Sequence, residues 1–221
     1  MSPRVGIIDS GIGSVMHRHV VVSRCFNNDL GNTPAGADEI GHGDQLARLI
    51  LHQCPQAALL VAQIFQRHNH SPVNRAAEAL DWLVEEGVTI VNMSFGLLTP
   101  SEHLAQACRR AAHEGVLLIA STPAMGGPAY PAALAECLAV TGDIRCAENE
   151  ISWLDRSYAQ IGACPLLIPG LPTMGGGSSF ACARVTGIAA SLHDGGRQPF
   201  AGWQEKLRNH ARYLGSEVRT A

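Results

Sequence analysis

Three polar residues stand where this chain could carry out chemistry. Asp9 ends the short apolar segment Arg4–Asp9, and His42 lies between two glycines just before a helical pattern. Ser179 follows the glycine run Gly175–Gly177 and opens the last long helical pattern. A glycine run that leads into a helix presents free backbone N–H groups, which can bind a phosphate or surround a serine nucleophile with positive partial charge. Asp9 alone is compatible with binding Mg²⁺, accepting a phosphoryl group or orienting a histidine.

Together, the three residue types are compatible with nucleophilic catalysis. A serine hydroxyl is a weak nucleophile that needs a base, a histidine can be that base, and a carboxylate can fix the tautomer of the histidine. No Gly-Lys-Ser/Thr sequence follows the glycines, as it would in a phosphate-binding Walker loop. A nucleotide-binding α/β domain is therefore the weaker alternative.

The segments that must position these residues alternate between strand and helix. The predicted strands are Arg4–Asp9, Val20–Val22, Ala58–Phe65, Val88–Met93, Val116–Ala120 and Cys137–Thr141. The predicted helices are Asp44–Gln53, Ser71–Gly87, Ser101–Glu114 and Ser179–His193, followed by the amphipathic segment Phe200–Leu214. Short apolar strands without strict alternation are buried on both faces. The pattern predicts an α/β fold with a mostly parallel central sheet, whose sites lie at the carboxyl ends of the strands.

Five segments, in chain order, resemble motifs of the subtilisin-like serine proteases. They are Val5–Gly11 (VGIIDSG), Gly41–Ala47 (GHGDQLA), Val91–Gly96 (VNMSFG), Tyr130–Ala132 followed by Leu138–Gly142 (LAVTG), and Gly177–Gly187 (GSSFACARVTG). The order Asp, His, Ser is also that of the family. The resemblance spans nearly the whole chain and implies the three-layer subtilisin-like fold, with helices on both faces of the sheet.

The resemblance also implies roles for the three residues. Ser179 would be the nucleophile, and His42 would take its proton and later give it to the leaving amine. Asp9 would hold the imidazole tautomer and stabilise the imidazolium.

Two further regions are implied by the same resemblance. The backbone N–H of Ser179 would be one donor to the oxyanion. The segment formed by Ser94, Phe95 and Gly96 would pair with the substrate as a strand and line the pocket for the residue before the cut.

One family position departs from the pattern. The asparagine whose side chain is the second oxyanion donor falls on Ala124, or on Pro123 or Met125 after a slip of one residue, and none of these side chains donates. Loss of that donor in subtilisin costs roughly 10²–10³ in turnover. The candidate replacements are Ser121, Thr122 and the backbone N–H groups of Gly126 and Gly127. We expect a hole that is partly defective in the free protein and is completed when substrate or a partner orders this loop.

Three functional hypotheses follow. The chain is a slow, selective protease, a protease with a rebuilt oxyanion hole, or a protein that binds peptides or a partner through the same cleft without efficient cleavage. The partner we expect is a peptide or protein substrate, and an activating partner stays open. We favour a processing role, for example on a precursor or leader peptide, because unrestrained proteolysis inside a cell is harmful.

Composition restricts the other classes. The 221 residues carry 16 basic and 19 acidic side chains, for a formal charge of −3, and no basic stripe that would indicate nucleic acid. No apolar run approaches the roughly 18 residues of a membrane span. We expect one domain over residues 1–221, with no signal peptide or prodomain, in the cytoplasm. The seven widely spaced cysteines include no Cys-x-x-Cys pair, so reduced thiols are expected.

We expect no metal or cofactor. His17-x-His19 and His68-x-His70 each lack a third ligand at helical spacing, so zinc is not indicated. The short cluster Asn27–Asp29 leaves a structural calcium ion open but does not indicate one.

Overall fold

The computed structural model describes residues 2–26, 33–66, 73–125 and 127–216. These residues form nine strands and five α-helices. The strands are β1 (Arg4–Asp9), β2 (Val20–Cys25), β3 (Ala58–Gln63), β4 (Ile90–Met93), β5 (Leu117–Ser121), β6 (Cys137–Gly142), β7 (Ile151–Arg156), β8 (Ala159–Ala163) and β9 (Tyr213–Leu214). The helices are α1 (His42–Gln53), α2 (Val73–Glu85), α3 (Glu102–His113), α4 (Ser178–Ser191) and α5 (Phe200–His210).

The strands form one sheet in the order β2-β3-β1-β4-β5-β6-β8-β7-β9. Neighbours from β2 through β8 pair in parallel, whereas β7 is antiparallel to β8. Strand β1 lies between β3 and β4, with Asp9 opposite Gln63 and Ile8 opposite Met93. The carboxyl ends of β1, β4, β5 and β6 therefore meet at one edge of the sheet.

Helices cover both faces of the sheet, which confirms the predicted three-layer α/β architecture. One apolar core joins α1, α4 and α5 to the sheet, and a second core lies between the sheet and helices α2 and α3. Helix α4 is central, because every residue from Phe180 to Ala190 is buried. A Cβ on Gly187 would lie 2.7 Å from the carbonyl oxygen of Ile50, so this glycine lets α4 approach α1 closely. The two helices that carry Ser179 and His42 are thereby packed side by side.

The structure differs from the sequence-based expectation between β6 and α4. No strand was predicted there, but β7 and β8 form an antiparallel hairpin. The register shifts between Trp153 and Arg156, and Asp155 has a positive φ of 52°. This irregularity interrupts the alternation that identifies a strand from sequence. The amphipathic segment Phe200–Leu214 also divides, into α5 and the short strand β9.

Two sequence expectations can be compared with the described structure directly. All seven cysteines are free and buried, as expected. Within the described ranges, no helix combines the length and the apolar character needed to cross a bilayer.

Candidate active site

The centre of the site is a hydrogen bond between Asp9 and His42. Asp9 ends β1 and is 1% exposed, and its Oδ1 lies 2.8 Å from His42 Nδ1. The same oxygen accepts bonds from the backbone N–H of Ser10 at 2.8 Å and from the Ser10 hydroxyl at 3.1 Å. Asp9 Oδ2 is buried and has no hydrogen-bond partner among the described residues. Because a carboxylate only accepts, Nδ1 is the donor in the bond to Oδ1, and neutral His42 keeps Nε2 free to accept a proton.

The surroundings of His42 raise its pKa above the ordinary value. Burial is the largest single influence and lowers the pKa, because it disfavours the charged imidazolium. The hydrogen bond to Asp9, the charge of Asp9 and the charge of Asp38 all raise it, and together they outweigh burial. The site is therefore built to stabilise a positive imidazolium, which is what a general base becomes after it takes a proton.

The start of α1 explains why glycines flank His42. Gly41 has a φ of 80°, and a Cβ on Gly43 would overlap the carbonyl oxygen of Gly11. The chain after β1 thus passes directly against the first turn of α1, and only a glycine at position 43 allows this approach. The Ser10 hydroxyl accepts a bond from the Gly43 N–H at 3.0 Å, so one serine binds both Asp9 and α1.

Asp38 also fixes the start of α1. Its Oδ1 accepts from the N–H of Gly41 at 2.7 Å, and its Oδ2 accepts from the N–H of Asp44 at 2.9 Å. It thus satisfies donors that a helix terminus leaves open and adds a negative charge near His42. Sequence reasoning missed both Ser10 and Asp38. The only available signal was the position of each polar residue just before or after a motif.

Ser179 is the second residue of α4 and is bonded to the segment that follows β4. Its hydroxyl donates to the carbonyl of Ser94 at 3.1 Å, and the Ser94 hydroxyl donates to the carbonyl of Ser179 at 3.1 Å. Asn92, fully buried in β4, donates to the Ser94 hydroxyl at 2.9 Å and accepts from Thr186 at 3.0 Å. These bonds join β4 to two successive turns of α4 and so fix the position of the serine.

Asp9 and His42 are bonded to each other, whereas the Ser179 hydroxyl is turned towards Ser94. The rings of His42 and Phe180 lie 6.1 Å apart between centroids, so the imidazole adjoins the first turn of α4. No hydrogen bond joins His42 to Ser179 among the described residues.

The predicted substrate segment adjoins the serine. Ser94 is buried, Phe95 is half-buried against Phe65 with ring centroids 6.0 Å apart, and Gly96 is exposed. Beyond it, Leu97 and Tyr130 exchange backbone hydrogen bonds of 2.8 and 2.9 Å. Contacts of Phe95 and Leu97 therefore fix the position of the segment, and Gly96 is exposed to solvent. Its contact with substrate stays a prediction.

Among the described residues of the oxyanion region, Ser179 offers a backbone donor and Ala124 offers no side-chain donor. The N–H of Ser179 lies in the first turn of α4, where N–H groups have no acceptor within the helix. Thr122 is buried, and its N–H is already bonded to the Val140 carbonyl at 2.8 Å. Ala124 is exposed and its side chain has no donor. Gly126 lies outside the described residues.

The described residues contain no group of three histidine, cysteine, aspartate or glutamate side chains that could hold a metal ion. His17 and His19 lie in a 3₁₀ turn over Ser14–His19, where His19 accepts a bond from Arg18 at 3.1 Å. The second histidine pair, His68 and His70, and the cluster Asn27–Asp29 lie outside the described residues. The prediction that no metal is needed is not tested by these observations.

Comparison with known proteins identifies the family to which this chain belongs. A model of the subtilase family matches residues 3–212. M-protease from Shouchella clausii (strain KSM-K16) is 26% identical over an alignment of 230 positions, which covers 94% of this chain and 57% of that relative. Subtilisin Savinase from Lederbergia lenta is also 26% identical, over 94% of this chain and 81% of that relative. The chain thus spans little more than half the length of the first relative.

Solved structures show the same fold. The crystal structure of a lanthipeptide protease superposes with a TM-score of 0.75 at 20% identity, over 97% of this chain and 81% of the other. The nisin leader peptidase NisP from Lactococcus lactis superposes with a TM-score of 0.66 at 18% identity, over 86% and 76% of the two chains. With a family model that matches almost the whole sequence and a fold shared with these proteases, the chain belongs to the subtilase family, a family of serine endopeptidases.

Proposed function

We propose that this protein hydrolyses peptide bonds as a serine endopeptidase, with Asp9, His42 and Ser179 as its catalytic triad. The observation that carries the proposal is the 2.8 Å hydrogen bond from His42 Nδ1 to Asp9, beside the first turn of the helix that carries Ser179. Family membership supports the same chemistry.

The reaction we propose has two stages, acylation of the serine and hydrolysis of the acyl-enzyme. Ser179 Oγ attacks the carbonyl carbon of the scissile bond while His42 Nε2 takes the hydroxyl proton. Asp9 stabilises the resulting imidazolium, and the Ser179 N–H donates to the oxyanion of the tetrahedral intermediate. The C–N bond then breaks as His42 gives the proton to the leaving amine. A water molecule, deprotonated by His42, hydrolyses the acyl-enzyme and restores the serine.

The substrate we propose is a defined peptide or protein segment, such as a precursor or leader peptide. Two proteins that share the fold are named as a lanthipeptide protease and a nisin leader peptidase, which supports a processing role. An oxyanion region poor in donors also favours slow, selective cleavage over bulk degradation. The seven free thiols support a cytoplasmic location. An activating partner belongs to the same proposal.

A second candidate is a subtilisin-fold protein that binds peptides without efficient cleavage. Two observations favour it. Ala124 offers no side-chain donor to an oxyanion, and the Ser179 hydroxyl is bonded to the Ser94 carbonyl and not to the base.

Labelling with a fluorophosphonate probe separates the two candidates. An activated Ser179 displaces the fluoride and forms an O–P bond, so the wild-type protein should be labelled and Ser179→Ala should not. Ser191→Ala is the matched control, since Ser191 lies at the far end of the same helix and bonds only the Ile188 carbonyl. A wild-type protein that binds peptide but resists the probe would favour the binding protein over the protease.

A further inference from the structure

A recess of about 460 Å³ opens beside the first turn of α4. Gly177 and Ser178, immediately before the proposed nucleophile, form one wall, and Ala124 forms another. The end of β6, the residues that follow it, the second half of β7 and Pro165 form the rest, and the segment Ser94–Gly96 does not take part. The recess is therefore distinct from the pocket expected at that segment, yet it borders the site of cleavage.

One residue that lines the recess, Thr141, has a buried hydroxyl without a partner among the described residues. Thr141 lies at the end of β6 and is 3% exposed. A buried hydroxyl without a partner costs free energy, so a ligand that accepts its hydrogen would be stabilised there.

Two arginines and one carboxylate also line the recess, and they leave it with a net positive charge. Asp143 is bonded to Arg145, with Nη2 to Oδ2 at 2.6 Å, and it accepts from the Ser152 hydroxyl at 2.6 Å. Burial raises the pKa of Asp143, but these bonds and the Arg145 charge outweigh burial and lower it, so the carboxylate is ionised. The Asp143–Arg145 pair is thus neutral as a unit.

Arg156 supplies the remaining charge. It ends β7 and is exposed, and its Nε donates to the Ser216 hydroxyl at 2.6 Å. That bond orients the guanidinium and leaves its terminal nitrogens as donors without a carboxylate partner in the described part of the chain. A guanidinium held in this way recognises a planar carboxylate.

The walls between these polar groups are apolar. Ile144, Leu154 and Pro165 line the recess, and Ile144 is 63% exposed. A ligand that combines methylene groups with a terminal carboxylate matches both surfaces. A glutamate side chain is such a ligand, because its two methylenes can pack on the walls while its carboxylate meets the donors.

We propose that this recess is a specificity subsite that binds a glutamate side chain of the substrate close to the scissile bond, through the Arg156 guanidinium and the Thr141 hydroxyl. The inference rests on the proposed function and adds the class of residue that the enzyme selects. Arg156 and Thr141 act as specificity-determining residues, and neither takes part in the bond-breaking steps.

Matched peptide pairs test the subsite. Each pair carries glutamate or glutamine at one of the three positions on either side of the cut, and every peptide has an amidated C-terminus. At one position, kcat/KM should favour glutamate by about tenfold, the scale of one charged hydrogen bond. Arg156→Gln should abolish this preference, and Thr141→Val should slow cleavage of the glutamate peptide. Arg109→Gln, which removes an exposed arginine on α3, should keep the full preference.

A reversal of charge gives the sharpest result. Arg156→Glu should prefer a lysine peptide over the glutamate peptide at the same position. If the wild-type enzyme cuts both members of every pair equally, or if Arg156→Gln keeps the preference, the subsite is wrong while the protease stands. The same pairs are also made as free acids, and a preference that appears only in that set would assign the site to a terminal carboxylate and overturn the glutamate assignment.

Binding separates failure of the subsite from failure of the proposed function. If no peptide is cut, the proposed function fails, and the affinity of Ser179→Ala for the same pairs tests the recess by itself. About tenfold tighter binding of the glutamate peptide, lost in the double variant with Arg156→Gln, would support the subsite. Equal binding of both peptides would overturn it.

Discussion

The bond between Asp9 and His42 determines which imidazole nitrogen carries the proton. Asp9 Oδ1 receives three hydrogen bonds, two of them from Ser10, so the carboxylate is fixed before substrate arrives. A fixed carboxylate keeps the proton on Nδ1 and leaves Nε2 as the base. The catalytic role proposed for His42 therefore depends on Asp9 for both orientation and charge.

Asp9→Asn should lower kcat by about 10⁴, the scale known for this replacement in a serine-protease triad, because the amide can favour the wrong tautomer. It should also change the pH profile. The raised pKa of His42 means that kcat/KM is high above that pKa and falls as the pH drops through it. Removing the Asp9 charge lowers the pKa, so the acid limb of the profile of residual activity should move to lower pH.

The control for this prediction is Asp194→Asn, which removes an exposed carboxylate bonded to Lys206. Its profile should match that of the wild-type enzyme. An Asp9→Asn variant with near wild-type kcat and an unmoved acid limb would contradict the triad.

The missing oxyanion donor gives a second prediction at this scale. Ala124→Asn should raise kcat, because each absent donor costs about 2.7–4 kcal/mol of transition-state stabilisation. The expected gain is up to roughly 10²–10³ if the turn lets the amide face the oxyanion. Single-turnover rates measure it, and Ala124→Leu, of similar size but without a donor, should give no gain.

A neutral or harmful Ala124→Asn would instead indicate that the hole has been rebuilt from other groups. In that case Thr122→Val should cost at least tenfold in turnover if the Thr122 hydroxyl is the substitute. A structure of the free protein with two donors already aimed at one point beside Ser179 Oγ would also contradict a partly defective hole.

At the scale of elements, the site depends on the close approach of α1 to the chain that leaves β1. Gly43→Ala should disturb this approach, because the new Cβ would overlap the Gly11 carbonyl. Overpacking of this kind costs about 1–3 kcal/mol of the free energy of unfolding. Displacement of the first turn of α1 also moves His42 from Asp9, so kcat should fall by roughly 10²-fold.

Gly202→Ala is the matched control, since Gly202 lies in α5 and a Cβ there meets no atom within 4 Å. Alanine is about 0.5–1 kcal/mol better than glycine inside a helix, so this variant should be slightly more stable and fully active. Thermal unfolding and kcat, measured on Gly43→Ala and Gly202→Ala, test the two expected outcomes. A stable, active Gly43→Ala protein would show that the two segments can separate without harm.

Some secondary-structure elements were predictable from the sequence and others were not. The buried parallel strands carry continuous apolar runs, and Arg4–Asp9 is observed with the predicted bounds. The hairpin of β7 and β8 was missed, because the positive φ of Asp155 and the shifted register disrupt its alternation. Ser10 and Asp38 were missed for other reasons. The bond of Ser10 to the Gly43 N–H joins positions 33 residues apart, which local residue patterns do not encode. The bonds of Asp38 to Gly41 and Asp44 are local, and the missed signal was an aspartate just before the start of a helix.

At the scale of the whole molecule, the nucleophile is held by segments distant in sequence. β8 leads into residues 164–167, whose backbone bonds to the glycine turn through Leu167 N to Gly175 O at 3.0 Å and Gly177 N to Pro165 O at 2.9 Å. The site therefore draws on strands near both ends of the sheet order. The bonds between Ser179 and Ser94 join positions 85 residues apart, so this supporting contact emerges only from the fold.

Arg184 lies at the junction of these segments and gives the last prediction. It occupies α4 one turn beyond Ser179, is 1% exposed, and donates to the carbonyls of Cys164 at 3.4 Å and Leu167 at 3.3 Å. Its Nε has no partner among the described residues, and burial lowers its pKa. Burial of a guanidinium costs several kcal/mol, and two long bonds to neutral carbonyls offset only part of that cost.

Arg184→Met, which keeps most of the volume and removes the charge, should leave the free energy of unfolding unchanged or raise it. Arg184→Ala should lower it by about 2–5 kcal/mol, because it leaves a cavity. Denaturant unfolding measures both variants. Because the residue packs α4 and does not face the substrate, Arg184→Met should retain kcat/KM within severalfold. A marked loss of stability in Arg184→Met would show that the two carbonyl bonds, and not the packing, hold the glycine turn in place.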